Sequence, residues 1–245
     1  MQTRCLTMIS SKESHSTFEN RLLAALPRAE YLRLLPHLKL VHLPPRKILY
    51  NVGEVVRYAY FPRGGMISLL SSTEDGRTVE VGMIGNEGVA GIAVILRTRT
   101  APYQMMVQLP CNAMRISAEV LQEEFKRCYA LQDLLLRYTH MLLLQIAQSS
   151  ACNRFHTVEE RLCRWLLISR DRLQTDTLHL TQEFLAHMLG VPRTSVTMAA
   201  SDLQRAGLIR YGRGRIIILD YPRLEAAACE CLRVVRAGIS QFLAA

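Results

Sequence analysis

No stretch of the 245-residue chain stays apolar long enough to cross a bilayer; the longest run, residues 89–96, stops at Arg97. The opening MQTRCLTMISSKESHS lacks the apolar core of a secretion signal and is polar enough to fray, so a cytoplasmic chain with no membrane partner is expected. No CxxC pair occurs. The seven cysteines (5, 111, 128, 152, 163, 229 and 231) are odd in number and irregular in spacing, which argues against a disulfide framework and against structural zinc. Cys229 and Cys231 form a CxC pair; inside a helix they would face different ways, so a shared metal is not expected. Small-residue packing is the expectation for all seven, with no metal ligands and no cofactor. A glycine-rich phosphate loop, GxSxG and HExxH are also missing, which speaks against an enzyme. Acidic residues are scarce: 21 Asp and Glu face 30 Lys and Arg, giving a net charge of +9 and a pI near 9.4. That balance favours a polyanionic partner.

The most informative segment that is present spans residues 181–201, TQEFLAHMLGVPRTSVTMAAS. Leu185 and Leu189 put apolar side chains on one face of a first helix, and Ala186 is small where a second helix must pass. Gly190 stands where the turn needs a left-handed backbone. Val191 plugs the gap, and Val196, Ala199 and Leu203 continue the buried face. This is the pattern of a helix-turn-helix, whose second helix enters the major groove of DNA. GLIRYGRGRIIILD follows as strand, glycine turn, strand, a β-hairpin wing. Five arginines (205, 210, 213, 215 and 223) stand there against one acid, Asp220.

Ahead of this segment the pattern is different. A short helical stretch begins at Asn20. From about residue 39 to 117, short apolar pieces (KLVHL, KILYN, YAYFP, MISLLS, TVEVGMI, YQMMVQL, NAMRIS) alternate with turn residues. Asp75-Gly76 is a strong hairpin signal. Eight or so short strands predict a jelly-roll-like β-roll. After Ser117 the period turns helical, with a short helix and then a long one over about 131–153. Its stripe of Leu131, Leu134, Tyr138, Met141, Leu142 and Gln145 predicts a homodimer seam; the other reading is a helix packed on its own roll. A third helix covers about 158–172, and a last one about 224–235. The fold class is α+β: a β-roll sensor at 20–128, a dimerisation helix at 129–156 and a winged helix-turn-helix at 157–235.

This order resembles the Crp/Fnr superfamily of bacterial transcription regulators, most specifically in LTQEFLAHMLGVPRTSV, LQRAGLIRYGRGRI and ACNRFHTVEERLCRWLL. The resemblance implies a homodimer that binds double-stranded DNA at an inverted-repeat operator, with RNA polymerase as a further partner and an effector in the roll. It places the guanine-reading arginine at Arg193. Thr194 stands where an acid is common, Met198 where a second arginine occurs, and Pro192 replaces a hydroxyl residue. Thr181 and Ser195 match phosphate-touching positions; Thr197 and Arg213 complete the expected DNA contacts. The cyclic-nucleotide pattern is departed from. Gly91 matches, but Ile92 replaces the ribose-binding Glu, and Ala101-Pro102 stand where Arg-Ser would bind the phosphate. Cyclic AMP is therefore not the expected effector, which stays unassigned; the alternative is a shifted register using Glu87 with Arg97 or Arg99. With only Cys5 in the N-terminal arm an iron–sulfur cluster is excluded. Haem, with His42, His140 or Cys128 as ligand, is not favoured. The competing class is a cyclic-nucleotide module acting on a protein partner.

Overall fold

The structure is a computed structural model that describes residues 20–244; the expectations for residues 1–17, Cys5 among them, lie outside that range. Asn20 opens the described chain by capping α1 (Arg21–Ala24), accepting from the Leu23 N–H at 3.0 Å. Its amide also donates to the carbonyls of Pro62 and Gly88, which fixes this entry on the roll. α2 (Arg28–Leu34) follows.

Each apolar piece of the next eighty residues becomes a strand: β1 (Lys39–Leu43), β2 (Ile48–Tyr50), β3 (Tyr58–Pro62), β4 (Met66–Ser72), β5 (Thr78–Ile84), β6 (Gln104–Leu109) and β7 (Cys111–Ser117). These seven strands, one short of the eight or so expected, form two antiparallel sheets in the orders β1-β7-β3 and β2-β6-β4-β5. The β4–β5 hairpin turns at Asp75-Gly76, where Gly76 takes φ +83° without a Cβ to clash.

β4 explains how the roll meets the rest of the chain. Side chains alternate across a strand. Ile67 and Leu69 enter the core of the roll, whereas Met66 and Leu70 join a second core built from the C-terminal helices. Both faces are covered, which is why MISLL reads as an unbroken apolar run.

Ser117 caps α3 (Ala118–Arg127), and α4 (Tyr129–Phe155) then runs 27 residues, about 40 Å. The stripe expected to face a second copy is already covered within one chain. Leu131, Leu134, Tyr138, Met141, Leu142 and Gln145 are all buried within the one chain, under the roll and α9. Periodicity marks an apolar face but not its partner, and here the roll takes that face. A different stripe points outward: Leu136, His140, Leu143, Ala147 and Ser150. Leu136 is 49% exposed and Leu143 61%.

α4 ends at His156. Thr157 and Glu160 cap α5 (Val158–Leu173) reciprocally, so the chain re-enters helix at once. The C-terminal region holds β8 (Thr177–His179), α6 (Gln182–Leu189), α7 (Arg193–Arg205), β9 (Ile209–Gly212) and β10 (Arg215–Ile218), its sheet ordered β8-β10-β9. The single last helix expected over 224–235 is two: α8 (Tyr221–Ala226) and α9 (Cys231–Ala244), the latter folded back along α4. Cys229 lies in the turn between them, so the helical separation expected of Cys229 and Cys231 does not apply.

Candidate nucleic-acid interface

The helix-turn-helix is built from local signals. Thr181 caps α6 by accepting from the Phe184 N–H at 3.2 Å. Gly190 ends α6 at φ +63°, and its missing Cβ has a second use: that atom would stand 2.8 Å from the Val79 side chain of β5. Leu185, Leu189, Val196, Ala199 and Leu203 are buried in the second core, as the spacing requires. What remains outside is the start of α7. Arg193, Thr194, Thr197 and Met198 are exposed and Ser195 is half-buried. Arg193 makes no ion pair among the described residues. Thr197 Oγ1 lies 2.9 Å from Gln182 Oε1 and 3.0 Å from the Arg193 carbonyl, which ties α7 to α6.

The wing turns at Arg213-Gly214, both at positive φ (+51° and +70°), the geometry of a two-residue hairpin loop. Gly214 accepts from the Leu180 N–H at 2.8 Å, and a Cβ on Gly214 would stand 3.8 Å from Thr181 Cγ2. The wing tip therefore stands beside the cap of α6. Of the five arginines in this region, Arg205 pairs with Asp202 and Arg223 with Asp220. Arg210, Arg213 and Arg215 have no acidic partner among the described residues; with His179 and Tyr211 they line a surface concavity of about 560 Å³.

The effector residues do not converge in the same way. Glu87 is buried and held by Arg172 of α5, with Nη2 and Oε1 2.5 Å apart and both side chains almost inaccessible. The Gly85 N–H donates to the same carboxylate oxygen at 3.0 Å; a Cβ on Gly85 would stand 2.6 Å from Arg172 Nε, so glycine makes room for the pair. Glu87 is thus a link between roll and α5. Gly91 is left-handed at φ +104°, Ile92 half-buried, Ala101 buried and Pro102 exposed. Arg97 and Arg99 are exposed, at φ +60° and +57°.

A second polar link crosses the same interface. Glu80 of β5 is buried; Trp165 Nε1–H donates to Oε1 at 3.2 Å, and Ser68 Oγ lies 2.5 Å from Oε2. Burial pushes the Glu80 carboxyl up to about 7, against the pull of Ser68, Arg164, Arg172 and Trp165. This network was not read from the sequence, where Glu80 passes as the polar position of an alternating strand.

The cysteines divide into two groups. Cys111, Cys128 and Cys163 are buried, and burial pushes the thiols of Cys111 and Cys163 up to about 12, as inert packing residues. Cys152, Cys229 and Cys231 instead form a buried cluster of their own, next to His156.

Two domain families match the chain. A cyclic nucleotide-binding domain covers residues 40–128, and a Crp-like helix-turn-helix domain covers residues 160–227. The CRP-like protein Clp of Xanthomonas campestris is 23% identical over 199 residues, spanning 76% of this chain and 86% of Clp. Among solved structures, a Crp/Fnr-family transcriptional regulator from Eubacterium rectale superposes with a TM-score of 0.68 at 20% identity, over 85% of this chain and 99% of that one. FixK2 from Bradyrhizobium japonicum gives 0.68 at 17% identity, over 78% and 98%. The c-di-GMP responsive regulator CLP of Xanthomonas campestris gives 0.62 at 20%, over 79% and 100%. With the roll, the long helix and the exposed recognition helix in that order, and both domain families matched in place, the chain belongs to the Crp/Fnr superfamily of transcription regulators.

Proposed function

We propose that the chain binds double-stranded DNA as a homodimer at an inverted repeat, and that its roll does not take cyclic AMP. The observation that carries the DNA reading is the exposed start of α7, with Arg193 unpaired there, on a domain whose basic wing tip abuts Thr181. Arginine can hold guanine O6 and N7 together, so Arg193 is the base reader, with Thr194, Thr197 and Met198 beside it. Arg210, Arg213 and Arg215 supply phosphate contacts, and with Thr181 and Ser195 they set register rather than sequence. RNA polymerase is the further protein partner.

Dimerisation uses the outward stripe of α4. Leu136, His140, Leu143, Ala147 and Ser150 are spaced alternately four and three residues apart, the repeat of a coiled-coil seam. The two recognition helices then address half-sites about 34 Å apart.

The effector reading rests on charge. Arg172 holds Glu87, and neither Ala101 nor Pro102 offers a cation. A cyclic phosphate with no charged partner in the roll costs several kcal/mol, on the order of the desolvation of one buried ionic group. An apolar or differently charged small molecule fits the roll better.

Titration calorimetry and gel shift test the two halves. Cyclic AMP is expected to give no heat, and the untreated protein to shift its selected DNA. Arg193→Ala costs about 1–3 kcal/mol of specific binding. Micromolar cyclic AMP binding that Arg99→Ala abolishes would establish the shifted site instead.

A further inference from the structure

Cys152 lies in the last turn of α4, and His156 is the extended residue that caps its C-terminus. The turn between α8 and α9 brings Cys229 and Cys231 to meet them. The three sulfurs and one imidazole nitrogen all lie within 4.8 Å of one another. Cys152 Sγ and Cys229 Sγ are 3.5 Å apart, and Cys231 Sγ is 3.5 Å from His156 Nδ1. In a tetrahedron with zinc–sulfur bonds near 2.3 Å and zinc–nitrogen bonds near 2.0–2.1 Å, ligand–ligand edges come to about 3.5–3.8 Å. The two 3.5 Å edges already have the tetrahedral length, and the remaining edges, all within 4.8 Å, need only small side-chain adjustments to close on one small cation.

From this geometry we infer that Cys152, His156, Cys229 and Cys231 form a closed Cys3His site for a thiophilic divalent cation, zinc first.

Three further features belong to such a site. His156 Nε2 lies 3.1 Å from Glu230 Oε2, so the ring donates its Nε2–H to the carboxylate and turns the Nδ1 lone pair toward the sulfurs. A carboxylate behind a ligating imidazole orients the ring and raises its basicity. Gln148 Nε2 donates to Cys231 Sγ at 3.0 Å, a bond that stabilises a thiolate. Charge completes the set. On binding, each of the three thiols gives its proton to solvent and forms one metal–sulfur bond, so a dication with three thiolates and a neutral imidazole carries one net negative charge. Arg161 and Arg164, both 5% exposed, lie within electrostatic reach of Cys152 and Cys229. Arg164 Nε and Nη1 have no hydrogen-bond partner among the described residues. A buried guanidinium without a partner is costly unless an anion is near. The metal–thiolate centre is that anion.

All four coordination positions come from the protein and the sulfurs are buried, which makes the site structural rather than catalytic. Its location gives it a task. His156 is the break between α4 and α5, and Cys229 and Cys231 lie past residue 227, where the helix-turn-helix family match ends. The ion fastens the start of α9 to the end of α4. From there α9 runs back along α4, with the Tyr138 and Phe242 rings 5.8 Å apart and Arg137 Nη1 donating to the Phe242 carbonyl at 3.3 Å. The junction through which the roll addresses the DNA-binding region is pinned by the same ion.

The test uses the full chain, purified under reducing conditions without chelator and loaded with zinc. Elemental analysis is expected to give one zinc per chain after desalting, and X-ray absorption three sulfurs and one nitrogen around it. Cys229→Ser and Cys231→Ser are expected to lower retained zinc at least about tenfold, while His156→Cys keeps it, which separates lost ligation from misfolding. Glu230→Gln is expected to weaken affinity about 10–100-fold in chelator competition. Zinc below one-tenth per chain after loading overturns the inference. So does zinc that survives Cys229→Ser with Cys231→Ser, or a Cys152–Cys229 disulfide as the main form in protein alkylated at lysis.

Discussion

At the start of α7, Arg193 is exposed with no ion pair among the described residues; 106 positions earlier in the chain, Glu87 is buried and held by an arginine from another element. Both are charged residues considered for ligand contact, Glu87 only in a shifted register, and their surroundings differ completely. A side chain meant for a macromolecular polyanion must stay hydrated and unpaired until the partner arrives. A buried carboxylate cannot wait in that way, because an isolated charge in a core is too costly. In this chain Glu87 is held by Arg172, which gives α5 a fixed seat on the roll. The contrast extends to the neighbours: Arg210, Arg213 and Arg215 pair with no acid among the described residues, whereas Glu80 is enclosed by Ser68 and Trp165.

Breaking the buried side of this comparison has the largest effect. Arg172→Met leaves Glu87 in the interior without its partner and is expected to cost about 3–5 kcal/mol in chemical denaturation. Adding Glu87→Leu restores most of it. If Arg172→Met alone were neutral, the pair would not be the seat of α5.

Glu80 comes next. Its carboxyl ordinarily titrates at 4.5 and in the folded chain at about 7. The folded state therefore holds its proton more tightly, so stability is full below about pH 4.5, falls as pH rises through about 7, and then levels. The total is on the order of 3 kcal/mol. Glu80→Gln removes this slope and is more stable than wild type at pH 8; an unchanged slope in the variant would contradict the assignment.

The two faces of α4 separate by a smaller stability effect and a clear change of mass. Leu136→Glu with Leu143→Glu, on the outward stripe, changes chain stability by about 0.5 kcal/mol or less, yet yields monomers in sedimentation. Leu134→Glu with Met141→Glu, on the inward stripe, unfolds the chain instead. Dimers persisting in the first double variant would place the seam elsewhere. Smallest is Arg213→Ala, expected to lower the slope of log affinity against log salt by about one and to weaken all sequences alike.

The strands were legible because turn residues punctuate them: Asp75-Gly76 lies at its hairpin, and all seven apolar pieces became β1 to β7. The helix-turn-helix was legible because its constraints are steric and local, as at Gly190. Long-range pairing was not. Nothing near Glu87 announces Arg172, and a helix with two apolar faces does not say which meets the roll. The meeting of three cysteines was not legible for the same reason. Its members come from two distant segments, and the argument from helical spacing does not reach Cys229 because the helix starts only at Cys231.

The central claim is that the unpaired arginine of α7 reads DNA in a symmetric dimer. Selection of random double-stranded DNA by the purified full chain, wild type beside Arg193→Ala, tests it most directly. The expected result is an inverted repeat with half-site centres about 10–10.5 base pairs apart, in which Arg193→Ala relaxes one guanine-containing pair in each half-site and leaves the rest. No enriched motif, or the same motif at full information from the variant, would contradict it.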